Sequence, residues 1–351
     1  MKIAFVIGSL AKGGAEKVVS LLSSELLKKH HVYLILFNNI IEHKINSNLK
    51  IININVPASK FLYRKIINVI RRTYYLYMLF NKEKFDRIFS FAESCNIPVI
   101  LTRYKTYISI RTHPKRFTNV SKIIFSILYR LNNIQKIITP SKGIEKFVSS
   151  WLQTNNIVTI NNPSDLNLIS SLKIKNIDIS YDFIVAIGRL DKVKNFELLI
   201  RAYANSNVKD FAKLLILGDG NEKNYLRTLS IDLRVENKVI FYGKTDNPYK
   251  YLDKAKLYIL SSKYEGYPNS LIDALACNCP SIATNCPTGP SELIVNNVNG
   301  ILVSNNNIKE LTRAMDHLFF DTDMQNRFKT NAYNSVKKLD VKKIANRWIG
   351  L

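Results

Sequence analysis

Glu265 precedes a Gly-Tyr-Pro turn in the stretch KYEGYPNSLIDALACNCP, residues 263–280, and a second carboxylate, Asp273, follows eight residues later. Two acids in one short segment could divide general acid and base work. Upstream, in IGRLDKVKN, residues 187–195, Arg189 and Lys194 stand five apart. Two cations converging beside a helix N-terminus bind a phosphate or pyrophosphate, although the same residues also fit a solvated basic loop. Ser270 with Asp273 three residues on has the form of a helix capping box, which would give Asp273 a structural task. Glu265 has no such task.

The elements that must position these residues read as repeated strand, turn and helix. KIAFVIG is a strand, Gly13-Gly14 a turn, and residues 15–29 a helix with Val18, Val19, Leu22 and Leu26 on one face, before the strand HVYLILF. This order implies a parallel sheet with right-handed crossovers. The pattern continues through DRIFSF, YISIRT and KIITPS, and breaks at INNPSD, where a polar stretch to Ser180 reads as a linker. It then restarts with YDFIVAIG, a helix over 196–204, AKLLILG, KVIFYG, AKLYILS, the helix after Glu265, PSIAT and GILV, with helices closing the chain. Two such halves predict two doubly wound α/β domains facing across a cleft, where a ligand belongs. Glu265, after AKLYILS, then lies at the C-terminal edge of a parallel sheet.

The chain has 351 residues, a length at which two domains are the default. It carries a formal charge of +24, and the first 165 residues, with 25 basic and 8 acidic side chains, hold +17 of it. Such a field favours polyanions: nucleic acid, anionic lipid headgroups or a phosphorylated substrate. The opening apolar run leads into Gly-Gly-Ala-Glu rather than a small-residue cleavage site, which argues against a signal peptide, and no apolar segment has the length to cross a bilayer. Cys95, Cys277, Cys279 and Cys286 lack the paired spacing of a zinc site and read as small buried residues.

Taken together, GRLDKVKN, YEGYPNSLIDALACNCP and TNCPTGPSELIVNNVNGILV resemble the nucleotide-binding half of a family 4 glycosyltransferase. IGSLAKGGAEKV, ITPSKGIEKF, INNPSD and a C-terminal helix ending NRWIGL extend the resemblance over essentially the whole chain. It implies the GT-B fold: an acceptor-binding Rossmann-like domain over 1–163, with a helix at about 336–351 packing back on it, and a nucleotide-sugar domain over 164–335. It implies that Arg189 and Lys194 hold the donor diphosphate and stabilise the charge that builds as it leaves. Glu265 matches the first acid of the family's Glu, seven residues, Glu motif and would contact the sugar. Asp273 stands where the second Glu binds the ribose, one methylene shorter. The turn Gly266, Tyr267, Pro268 and Asn269 goes to the donor, as do Gly13 and Gly14, whose main chain can come close. His113 in ISIRTHP occupies the region of a family His near the reacting sugar, with Arg111 beside it; a lone loop His can equally be incidental.

The resemblance further implies transfer with retention at the anomeric carbon by a front-face path, without a metal or other cofactor. Asp321-Thr322-Asp323 has the form of a metal-binding Asp-x-Asp but falls in the late helical region and reads as an inter-helix turn. For the donor, TNCPTGPSEL resembles a bacterial subgroup handling N-acetylhexosamines, particularly N-acetylgalactosamine linked to uridine diphosphate, with Pro287, Thr288 and Gly289 near the sugar.

Residues 63–87 are basic and aromatic. On a helix Ile66, Ile70, Tyr74 and Tyr77 share one face, with Arg64, Lys65, Arg71 and Arg72 opposite, the pattern of a helix lying on an anionic membrane. A Rossmann helix packing that apolar face on its sheet gives the same pattern. A lipid-linked or oligosaccharide acceptor in capsule, O-antigen or related glycan synthesis, at the inner face of the cell membrane, would explain the basic half of a cytoplasmic, peripheral enzyme. A nucleic-acid binder is the rival by charge, but no recognition module appears. An epimerase or phosphorylase of the same fold is the rival by chemistry.

Overall fold

Short runs of β-branched residues flanked by turns form parallel strands, and the amphipathic segments between them cover the sheets, because a parallel sheet is stable only when both faces are buried. In a computed structural model of the chain, which describes residues 1–59, 61–113 and 117–351, these elements gather into two units. One comprises Met1–Pro163 with Val341–Leu351, the other Ser164–Asp340.

The first unit holds strands β1 (Lys2–Ile7), β2 (His31–Leu36), β3 (Lys50–Asn53), β4 (Arg87–Phe91), β5 (Thr106–Ser109), β6 (Ile134–Thr139) and β7 (Ile157–Thr159). They pair in parallel in the order β3-β2-β1-β4-β5-β6-β7. The helices are α1 (Gly14–Leu26), α2 (Leu62–Glu83), α3 (Glu93–Leu101), α4 (Asn119–Leu128) and α5 (Lys142–Leu152).

The second unit starts with α6 (Leu166–Lys173), inside the stretch read as a linker; Leu166 and Ile169 are buried in that unit's core, so the stretch is structured. There follow β8 (Phe183–Ile187), α7 (Phe196–Asn205), β9 (Lys213–Leu217), α8 (Lys223–Asp232), β10 (Val239–Gly243), α9 (Tyr249–Lys254), β11 (Leu257–Leu260), α10 (Asn269–Ala276), β12 (Ser281–Asn285), β13 (Ile301–Ser304), α11 (Ile308–Phe320) and α12 (Thr322–Val336). Its strands pair in parallel in the order β10-β9-β8-β11-β12-β13.

The last helix, α13 (Val341–Ile349), belongs to the first unit, where Trp348 stacks on Phe91 with ring centroids 5.2 Å apart. Residues 336–340, expected with this returning segment, stay in the second unit because Val336 and Leu339 are buried in its core. Among the described residues no helix is long and apolar enough to cross a membrane. All four cysteines are free and buried.

Candidate functional site

In the second unit the strand order reverses between β8 and β11, so the loops leaving their C-terminal ends flank a switch point, where ligands of doubly wound sheets bind. Arg189 and Lys194 lie in the loop after β8, and Glu265 lies in the loop after β11. The structure brings two of these together: Lys194 Nζ donates to Glu265 Oε1 at 2.6 Å, and Ser262 Oγ donates to the same oxygen at 2.6 Å. The two loops are tied by the Lys263 amide on the Val193 carbonyl (2.8 Å) and Ser261 Oγ on the Lys194 carbonyl (2.9 Å). Thr288 Oγ1, in the loop after β12, donates to the Glu265 carbonyl.

Arg189 turns away from this pair and bonds Asp191 Oδ2 through Nε at 2.7 Å, with most of its side chain in solvent. Asp191 Oδ1 accepts the amides of Val193 and Lys194 at 3.0 Å each. Burial works to raise the Asp191 carboxyl, but the Lys194 amide, the Arg189 guanidinium and the Val193 amide outweigh it and hold it below its ordinary range. Neither Asp191 nor Ser262 is legible in the chain as a site residue; the short polar side chain within the turn is the available signal for the first, and nothing marks the second.

Helix α10 begins at Asn269 with Pro268 at its N-cap and no side-chain cap. The expected capping box is therefore absent: Ser270 Oγ accepts from Tyr258 Oη at 2.8 Å instead, and Asp273 is buried one turn into the helix. Gly266 and Pro268 form the turn ahead of α10, but the Tyr267 ring is buried in the core, so what Tyr267 can offer a ligand comes from its main chain. Asp321 caps α12 by accepting the Met324 amide at 2.8 Å, the task of an inter-helix turn.

In the first unit Gly13 precedes α1 in extended backbone, with the end of the Glu16 side chain folded over its Cα: a Cβ there would lie 2.2 Å from Glu16 Oε2, so a larger residue would displace that carboxylate. The Lys12 amide donates to Glu42 Oε2 at 2.7 Å, and His43 Nε2 lies 3.4 Å from the Gly13 nitrogen. Thus Glu42 and His43, unmarked by any motif, sit on the turn that carries Gly13 and Gly14. His113 is buried, its ring tilted against Phe147 at 5.6 Å. Arg111 is only partly exposed: its guanidinium lies 5.3 Å from both the Phe91 and Trp348 rings, and Nη1 donates to Asn162 Oδ1 at 2.7 Å. Burial pulls that guanidinium down to about 9.

Helix α2 is oriented opposite to a sheet-packing reading. Ile66, Ile70, Tyr74 and Tyr77 are exposed at 57%, 64%, 60% and 48%, while Arg72, Leu76 and Phe80 form the buried face. Arg72 is therefore no headgroup contact: Nε and Nη2 both donate to the Val56 carbonyl, at 3.0 and 2.8 Å, over the Phe37 ring. Arg64, Lys65 and Arg71 remain exposed. Arg72→Ala should cost about 2–4 kcal/mol through lost bonds and packing, whereas Arg71→Ala should stay within about 0.5 kcal/mol. Urea melts of the two variants check this, and equal midpoints would contradict the buried placement.

Residues 171–335 match the family described as glycosyl transferases group 1, and residues 12–168 match glycosyltransferase family 4. The chain is 31% identical over 371 aligned positions to the N-acetylgalactosamine-N,N'-diacetylbacillosaminyl-diphospho-undecaprenol 4-alpha-N-acetylgalactosaminyltransferase of Campylobacter jejuni, covering 98% of this chain and 97% of that one. It is 26% identical, over 100% of this chain and 98% of the other, to a second Campylobacter jejuni protein, an alpha-1,4-N-acetyl-D-galactosaminyltransferase named for a PP-undecaprenol-linked glycan. Anabaena HepE, solved with UDP and glucose, superposes with a TM-score of 0.80 at 19% identity, covering 100% and 98% of the two chains, a likeness of fold.

Proposed function

The chain belongs to glycosyltransferase family 4, and from that premise we propose that it transfers an N-acetylhexosamine, with N-acetylgalactosamine on uridine diphosphate as the leading donor, to a glycan carried on a lipid diphosphate. The observation that carries the reading is the Lys194–Glu265 pair at the switch point of the unit that matches group 1. Support for the acceptor comes from the full-length similarity to two transferases named for diphospho-undecaprenol-linked glycans.

The donor diphosphate would draw Lys194 from Glu265 and Arg189 from Asp191, exchanging internal ion pairs for the ligand's charge. Glu265, freed of its cation, would accept from the sugar hydroxyls, and Asp273 from the ribose. In the transfer step the bond from the anomeric carbon to the diphosphate oxygen breaks, and the diphosphate takes the electron pair. The acceptor oxygen bonds the same face of that carbon, and its proton passes to the departing phosphate oxygen. The anomeric configuration is thereby retained, no carboxylate nucleophile is involved, and no metal is required. The basic first unit would hold the enzyme on an anionic membrane, where the acceptor resides.

The test is a thermal-shift panel of nucleotide sugars, followed by transfer to a polyprenyl-diphosphate glycan in chelator. A rise in melting temperature with the uridine diphosphate sugars and an α-linked product are expected. A β-linked product from an α-linked donor would remove retention, and loss of activity in chelator would remove metal independence. A flat response across the panel would remove the donor assignment.

A further inference from the structure

We propose that α2 and α4 together form a two-helix surface that inserts apolar side chains into an anionic bilayer; this rests on the membrane association proposed above and specifies its contact. The sequence pattern pointed to α2 alone. Yet α4 also turns its apolar residues outward, with Val120, Ile123 and Ile127 exposed at 67%, 62% and 65%, while Phe125 alone of its residues is buried.

The two outward faces lie on one side of the sheet. Leu76 and Phe80 of α2 share a core with Val99 of α3 and Ile88 of β4, and Phe125 of α4 shares a core with Ile100 of α3 and Ile108 of β5. Ser90 pairs with Ile108, and residues two apart on a strand share a face, so Ile88 and Ile108 point to the same side. Helices α2 and α4 therefore both lie on the side of the sheet that α3 covers. Their outer faces point away from the sheet in the same sense.

The charge on both helices selects the occupant. Apart from Glu83 at its last position, α2 has no acid and presents Arg64, Lys65 and Arg71 to solvent, and α4 carries Lys122 and no acid. Apolar faces flanked by cations without anions fit an acidic lipid surface, with the rings and branched chains below the headgroups and the cations among them. Two separated contacts also fix the first unit's orientation, which one helix free to roll about its axis would not.

The experiment measures co-sedimentation with vesicles of phosphatidylglycerol and phosphatidylethanolamine at about 0.1 M and about 1 M salt, since screening removes headgroup attraction and leaves insertion. The variants are the pairs Ile70→Asp with Tyr74→Asp on α2 and Ile123→Asp with Ile127→Asp on α4, all at exposed positions. Wild type should keep part of its binding at the higher salt, and each pair should lower partition at least tenfold. Because the four native cysteines are buried, Ile127→Cys can carry a polarity-sensitive dye whose emission should shift blue on vesicles. An unchanged partition for the α4 pair, or no dye shift, overturns the two-helix surface and leaves membrane association standing on α2. Absence of wild-type binding overturns both. A stable dimer that either pair splits into monomers assigns the surface to a second copy of the chain and overturns the proposal.

Discussion

Replacing Glu265 by Gln is expected to lower turnover by about a hundred- to a thousandfold, the scale on which a preplaced charge acting on a developing transition state is felt. Gln keeps the shape and an acceptor oxygen for Ser262 Oγ and Lys194 Nζ, both of which bond Oε1 at 2.6 Å. The change therefore removes a charge rather than a contact. A fully buried ion pair left with one partner loses about 3–5 kcal/mol. Here the two side chains retain 24% and 10% exposure, so solvent screens the remaining cation. The loss in folding should be about 1 kcal/mol, a melting shift of about 2–4 °C. Donor affinity should hold, because Lys194 no longer has an internal anion competing with the diphosphate. The signature is a fallen kcat with KM for the nucleotide sugar nearly unchanged, read by steady-state kinetics and thermal melts. Unchanged kcat would remove Glu265 from the reaction. A collapsed melt would make it a structural anchor of the Lys194 loop.

The alternation of strands and helices was legible in the chain because buried parallel strands read as continuous apolar runs, as in Phe183–Ile187 and Lys213–Leu217. Strands β3 and β7, four and three residues long, carry no such run: both are sheet-edge strands, and β3 is mostly exposed. The site residues were visible as types at strand ends, but their pairing was not, since Lys194 and Glu265 are 71 positions apart and meet only when β8 and β11 lie side by side. Helix α2 shows where periodicity fails. Ile66, Ile70, Tyr74 and Tyr77 make the stronger apolar stripe, whereas the face that packs runs through Arg72, Leu76 and Phe80. An arginine becomes a core residue only when a carbonyl and a ring await it, and the Val56 carbonyl and the Phe37 ring come from other elements. Nothing in the local pattern announces either.

Gly218→Ala should be the most damaging single methyl in the second unit, and its effect should reach the proposed donor site. Gly218 has φ +154°, and a Cβ there would lie 1.8 Å from the Gly188 carbonyl oxygen. The clash is backbone against backbone, so no side chain can rotate away. The opposing segment is pinned as well: the Gly188 amide bonds the Leu217 carbonyl at 3.0 Å, the Leu190 amide bonds the Asp219 carbonyl at 3.0 Å, and the Gly218 amide bonds the Gly243 carbonyl at 2.8 Å. Relief requires the loop after β8 to move outward, which strains these bonds at a cost of about 3–5 kcal/mol. That loop carries Arg189 and Lys194, and the Lys194 stem lies against Gly188, where an added Cβ would be 3.4 Å from the Lys194 Cδ. If the two cations hold the diphosphate as proposed, a displacement of about 1 Å there is enough to lose about a hundredfold in rate. The variant should therefore melt about 10 °C lower and lose the stabilisation that a nucleotide sugar gives the wild type. Gly350→Ala, whose added Cβ would meet nothing nearer than the Asn346 carbonyl at 3.4 Å, is the control expected to change neither. Calorimetry of the three proteins with and without donor separates the outcomes. A lowered melt with full donor stabilisation would mean that the loop after β8 is not what holds the diphosphate, and a wild-type melt would mean that the two backbones do not approach as closely as the fold requires.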